Sequence, residues 1–280
     1  MNITLGLTQF TWTQKASLPA LGRRGSTGFS IGTKGYIGCG LTVSGGINDF
    51  WEWDQNNNTW KQKANFPIAR WDASGFSIGT KGYFCCGISG SFYNDLWEWD
   101  QSLNSWTQKA SMPVAAGSRA TAVGFAIGNK GYIGTGLTST SSYLSDLWEW
   151  DQTTNSWLQK NSFPSARAFA TGFCIGNLIY VGTGAAGSNY LNDFWEWNQT
   201  TNVWTQRANI PITQRYEAIG FAIGTKGYIG TGNDGGDNNN FVEWNSSTSS
   251  WSPAINLPSN IRSDADRGTF TICDKGYFCG

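Results

Sequence analysis

The sequence predicts an all-β chain: six copies of one four-stranded antiparallel unit arranged as a closed ring, a six-bladed β-propeller forming a single domain over residues 1–280. Three observations predict it. Trp12, Trp60, Trp106, Trp157, Trp204 and Trp251 recur at intervals of 48, 46, 51, 47 and 47 residues, the period of one supersecondary unit. Between them, four short β-type runs alternate with turn residues, the pattern of a propeller blade. The chain also begins and ends out of phase with its own repeat, which fixes how the ring closes.

The elements follow in order. A Phe leads to a Tyr seven residues later in every copy, preceded by Gly in five of the six, as in Phe29/Tyr36 and Phe76/Tyr83, through text such as GFSIGTKGYIG. Two β-type runs around a tight Gly/Lys/Asn turn read as a hairpin, strands A and B. Next comes the block Phe50-Trp51-Glu52-Trp53, repeated at 96–99, 147–150, 194–197 and, weakened, 241–244. Its last Trp stands seven residues before the marker Trp across Asn/Thr/Ser turn chemistry, giving strands C and D. A proline seven residues after each marker (Pro19, Pro67, Pro113, Pro164, Pro211, Pro258) ends strand D, because proline cannot donate to a ladder. Ile3-Thr4-Leu5 fall where strand C falls elsewhere, and Gly280 follows a strand B. The last blade therefore draws A and B from the C-terminus and C and D from the N-terminus, which removes free sheet edges. The tryptophans of strands C and D are expected to fill the space between blades.

This order of motifs resembles the kelch repeat: glycines closing strand B, an aromatic in C, a Trp in D. The resemblance covers essentially the whole chain. It departs in two places, since the glycine doublet is loose (Gly38-Cys39-Gly40, Cys85-Cys86-Gly87) and the strand-C aromatic is Trp. The copy-to-copy similarity resembles kelch arrays of bacterial surface and secreted proteins, which implies a secreted or cell-surface location. MNITLGLTQF carries no leader pattern.

Composition narrows the function. The chain has a net charge of zero and 14% charged residues, without the basic surplus of a nucleic-acid footprint. It has no apolar run long enough to span a membrane. The absence of histidine removes Ser-His-Asp and Cys-His catalysis and His-based metal sites. The six cysteines lack C-x-x-C spacing, and none is expected in a zinc site. The stretch 232–239 is rich in oxygen donors but lacks the alternation and closing Glu of a calcium loop. No cofactor, no metal and a monomer are the expectation.

Length varies only in the B–C and D–A connections, which leave an up-and-down blade at the same end. Variable loops on a rigid scaffold are where binding concentrates. Arg23, Arg70, Arg119, Arg167 and Arg215 each precede the strand-A Phe by six residues; the sixth copy has Asp264 there, with Arg262 and Arg267 nearby. Equivalent residues just before strand A are expected to ring the channel mouth, interleaved with Trp71, Phe169 and Tyr216. Such a ring would take a protein, an acidic peptide or a glycan, because Arg is a bidentate, permanently charged donor. The competing expectation is structural. Asp49, Asp95, Asp146 and Asp193, or the glutamates of strand C, would neutralise the arginines and lock blade to blade.

The favoured expectation is a non-enzymatic binding scaffold using this face. The alternatives are a carbohydrate-active enzyme of sialidase or epimerase type, and a repeat scaffold without a dedicated ligand. Kelch-like galactose oxidase and six-bladed epimerases imply histidines that this chain lacks. Sialidases imply an arginine cluster that Arg70, Arg119, Arg215, Tyr216 and Glu217 could mimic, but their Asp-box repeats are absent. Catalysis normally breaks repeat symmetry, and only 260–267 does so clearly.

Overall fold

A computed structural model of the protein describes residues 2–6, 9–236, 238–258 and 268–279. It is an all-β propeller of four-stranded antiparallel blades. Five sheets are cut from continuous sequence, each in the order A-B-C-D. Blade 1 is Thr27–Ile31, Lys34–Gly38, Phe50–Asp54 and Thr59–Gln62. Blade 2 opens at Ser74–Ile78, blade 3 at Val123–Ile127, blade 4 at Thr171–Ile175 and blade 5 at Ile219–Ile223. A further four-stranded sheet joins Thr269–Ile272 and Lys275–Phe278 to Asn2–Gly6 and Gln9–Thr13.

The repeat's spacing becomes register. Phe29 faces Tyr36 across the A–B pair, and their rings stack at 5.2 Å. Tyr36 in turn faces Glu52 on strand C and donates its hydroxyl to it at 2.8 Å. Gln101 of the next blade donates to the same hydroxyl oxygen at 2.7 Å. The strand-C glutamates thus serve these tyrosines and not the repeat's loop arginines, while Glu196 also pairs with Arg207 on strand D at 2.8 Å.

Blades interlock as knobs in holes. The strand-A Phe of one blade sits where the next blade has the Gly of its Lys-Gly-Tyr run. A Cβ on Gly82 would lie 1.9 Å from the Phe29 ring, and one on Gly131 would lie 2.4 Å from Phe76. Phe221 covers Gly276 and Phe270 covers Gly35 in the same way. Blade 4 reads Leu178-Ile179-Tyr180 instead, so the hole for Phe125 is missing there. On the outer side, Trp53, Trp99, Trp150, Trp197 and Trp244 are buried. Trp150 packs on Tyr83 of the preceding blade at 5.1 Å, and Trp197 on Tyr132 at 5.2 Å. Burying rings of this size between sheets supplies most of the cohesion.

The strands A of the five blades, together with Thr269–Ile272, lie side by side around a central channel of about 370 Å³. Its lining is uncharged and includes the small residues Ser30, Ser77, Ala126, Cys174 and Ala222 beside the strand-A phenylalanines. Neighbouring strands are laced across the wall: Thr27 Oγ1 donates to the Ala73 carbonyl at 3.0 Å, and Ser74 Oγ to that of Ala122 at 2.9 Å.

All six cysteines are free thiols. Cys85 and Cys86 hold their sulfurs 3.0 Å apart in the core. Burial pushes the Cys174 thiol up to about 12, so it stays protonated at neutral pH. No helix among the described residues is long and apolar enough to cross a membrane.

Candidate functional site at the loop face

The B–C and D–A connections meet at one end of the blades. Each arginine of the repeat sits where they meet, and its backbone and side chain face different blades. Arg70 donates its backbone N–H to the Ile47 carbonyl, and its own carbonyl accepts from Gly40, both on the B–C loop of blade 1. Its guanidinium reaches the B–C loop of blade 2. There it donates to the Cys86 carbonyl at 2.6 Å and to both Asp95 oxygens at 2.6 and 2.8 Å. Arg119 and Asp146, and Arg167 and Asp193, repeat the arrangement. Arg23 pairs with Asp49. Each carboxylate is oriented by a second donor, the indole of the Trp two residues on, as Trp97 does for Asp95 at 2.7 Å.

This corrects the expected arginine ring. The side chains of Arg70, Arg119 and Arg167 are 0% exposed and that of Arg23 is 3% exposed, so the guanidiniums do not line the mouth. Arg215 is buried as well. Of the two candidate carboxylate series, the Asp before strand C is the one used. A bidentate pair inside the protein outcompetes a ligand for the same donors. The Asp193 carboxyl shows the balance. Burial alone would raise its pKa, but the hydrogen bonds and charge of Arg167, with Trp195, hold it below the usual range. Arg262, Asp264 and Arg267 lie outside the described residues.

Blade 5 departs from the pattern. Asn240 stands in the Asp position and Val242 in the place of the indole donor, so both halves of the pair change together. Arg215 donates to Asn240 Oδ1 at 2.7 Å, to the Thr231 carbonyl at 2.8 Å and to Thr213. Burial lowers its pKa, and the charge of nearby Asp234 opposes that. Asp234 accepts from Thr213, and Asn238 donates to the carbonyls of Gly232 and Gly236. The oxygen-rich loop therefore spends these groups on its own bonds; Asp237 lies outside the described residues.

Two residues after each arginine the chain turns into the left-handed region: Gly25 at φ +63°, Asp72 +55°, Thr121 +61°, Phe169 +58° and Glu217 +58°. From Asp72 onward, each then donates its N–H to the carbonyl of its counterpart in the preceding blade. Asp72 bonds Gly25 at 2.8 Å, Thr121 bonds Asp72 at 2.9 Å, Phe169 bonds Thr121 at 3.3 Å and Glu217 bonds Phe169 at 3.1 Å. A belt of backbone hydrogen bonds thus runs from blade to blade beside the channel. Its backbone repeats and its side chains do not.

Of the expected site aromatics, Trp71, Phe169 and Tyr216 are all half-buried on this face. Trp71 lies over Gly46 of blade 1, 3.0 Å from where a Cβ there would sit. Phe169 and Tyr216 come together edge to face at 5.8 Å. Sequence reasoning missed Tyr190, whose ring is 4.8 Å from Tyr216. The signal was an aromatic one place before Leu191, where other blades have Phe92 and Tyr143. The same face carries the exposed aliphatic tips Leu21, Val43 and Val114.

No family model and no curated protein matches the chain. Its fold is similar to the solved structure titled "Structure of YjhT", with a TM-score of 0.76 and 16% sequence identity, over 91% of this chain and 88% of that one. With 799 solved chains matching, the likeness specifies architecture and no activity.

Proposed function

We propose that this protein is a non-enzymatic binding scaffold of kelch type that presents its B–C and D–A loops to a protein or glycan. In this reading the sheet shared by the two tails is the sixth blade and closes the ring. Trp12 supports the closure by donating its indole N–H to the Ile255 carbonyl beside blade 5 at 3.0 Å. Trp53 of blade 1 supports it from the other side, packing on Tyr277 at 4.7 Å.

One observation carries the functional reading. At the belt the backbone is alike in every described blade while the side chains run Gly, Asp, Thr, Phe and Glu. Side chains in the left-handed region cost about 1 kcal/mol or more, and here they differ from blade to blade while the backbone demand does not. Asp72, Phe169 and Glu217 among them are half-buried on the loop face, where a ligand would meet them. The repeat's loop arginines give an acidic ligand no advantage, because their guanidiniums are already neutralised or buried. A monomer, without a cofactor and outside the cell, completes the proposal, the location resting on the kelch resemblance.

The test is a peptide and glycan array with the intact chain and two variants. Trp71→Ala, on the loop face, is expected to lose signal, and Leu103→Ser, on the C–D turn at the other end, is expected to keep it. Turnover of a sialoside or other glycoside by the purified protein would replace this reading with the enzymatic one.

A further inference from the structure

Resting on the scaffold reading, we infer that the corner between blades 4 and 5, formed by Phe169, Tyr190, Tyr216 and Glu217, is a subsite for a neutral saccharide unit. The argument begins with how the junctions are filled. Each junction pairs one B–C position with the residue after the next blade's arginine: Gly46 with Trp71, Phe92 with Ala120, Tyr143 with Ala168 and Tyr190 with Tyr216. Three junctions combine one large ring with one small residue. The fourth has two rings, and Phe169 of the belt adds a third, edge-on to Tyr216. The repeat shows that one ring suffices for a junction. The second and third are surplus aromatic surface, half-buried on the loop face.

The polar groups at this corner suit hydroxyls. The Tyr216 hydroxyl lies beside both Tyr190 and the Glu217 carboxylate. Burial first, then those two neighbours, raise its pKa, so it remains a donor at neutral pH. Exposed Asn189 adjoins Tyr190 with an amide. Aromatic faces receive the C–H face of a pyranose, while carboxylate, amide and phenol groups orient its hydroxyls. The two arginines at the corner do not compete for this role. Arg167 is held by Asp193 and Arg215 by Asn240, both buried, so the corner offers an acidic sugar no free guanidinium.

The experiment is saturation-transfer NMR and titration with neutral methyl glycosides and cello- and chito-oligosaccharides. Tetramethylammonium serves as the cationic probe and N-acetylneuraminic acid as the acidic one. At least one neutral sugar is expected to bind saturably. Tyr216→Ala and Phe169→Gly should each weaken it tenfold or more, and Leu103→Ser, on the exposed C–D turn at the other end, should leave it unchanged. Phe169→Gly also separates binding from folding. Its φ of +58° suits glycine, so this variant should melt no lower than the parent while losing the sugar. The inference is overturned if no neutral sugar saturates, if the cationic or acidic probe binds more tightly than every sugar, or if the two corner variants leave affinity intact. Array binding that survives any of these results would leave the scaffold standing and remove only the saccharide.

Discussion

Gly136 sits at φ +106° with the Ala120 carbonyl where a side chain would go, 2.8 Å from an added Cβ. Gly136→Ala should therefore destabilise by about 2 kcal/mol, through both backbone strain and the lost approach of the two loops. Urea unfolding of the pair measures it. The residue before it is not glycine in any described blade: Cys39, Cys86, Thr135, Thr183 and Thr231 all take φ near +60°. The loose doublet seen in the sequence is thus a strained position followed by an obligatory glycine. Asp193 gives a pH prediction at the same scale. Its carboxyl titrates lower in the fold than in the unfolded chain, so its contribution is full above the ordinary carboxylate pKa of about 4 and is lost as pH falls through the lower folded value. The melting temperature of the parent should drop more steeply than that of Asp193→Asn as the solution is acidified below about pH 4. Parallel curves would show that the pair contributes nothing.

The D–A loop is the element that joins blades, and its arginine is the fastener. Arg70→Met would leave Asp95 buried without its cation, at a cost of about 3–5 kcal/mol. Arg215→Met should cost less, because the direct side-chain partner on strand C's approach is neutral Asn240. Equal losses in chemical denaturation would refute the fastener account. The arginine series and the aspartate series were both legible in the sequence from their fixed phase. Which carboxylate each arginine would choose was not. Phase says that two residues recur together, but the choice between Asp95 and Glu98 depends on which face of strand C each occupies and on the competing Tyr83, which takes Glu98 at 2.7 Å. Tyr190 escaped for a related reason. Its partner is 26 residues away on another blade's loop, and no period links an aromatic that appears at only some junctions.

For the molecule as a whole, closure is the decisive test. Removing residues 1–13 would take Asn2–Gly6 and Gln9–Thr13 from the shared sheet and leave Lys275–Phe278 as an open edge. The truncated chain is expected to melt lower and to aggregate, seen by scanning calorimetry and gel filtration. A truncated chain that stays monomeric with the parent's melting temperature would refute closure by the tails. The sequence by itself determined the repeat, the strand order within a blade and the end at which loops vary. These follow from local periodicity: alternation, turn chemistry and the spacing of Trp, Phe and Tyr. The tertiary structure alone decided which groups reach solvent at that end. Burial of a guanidinium is settled by two neighbouring blades acting together, so the same arginines that read as a binding ring in one dimension become internal ties in three. What they leave at the mouth is a set of unlike side chains on a shared left-handed backbone.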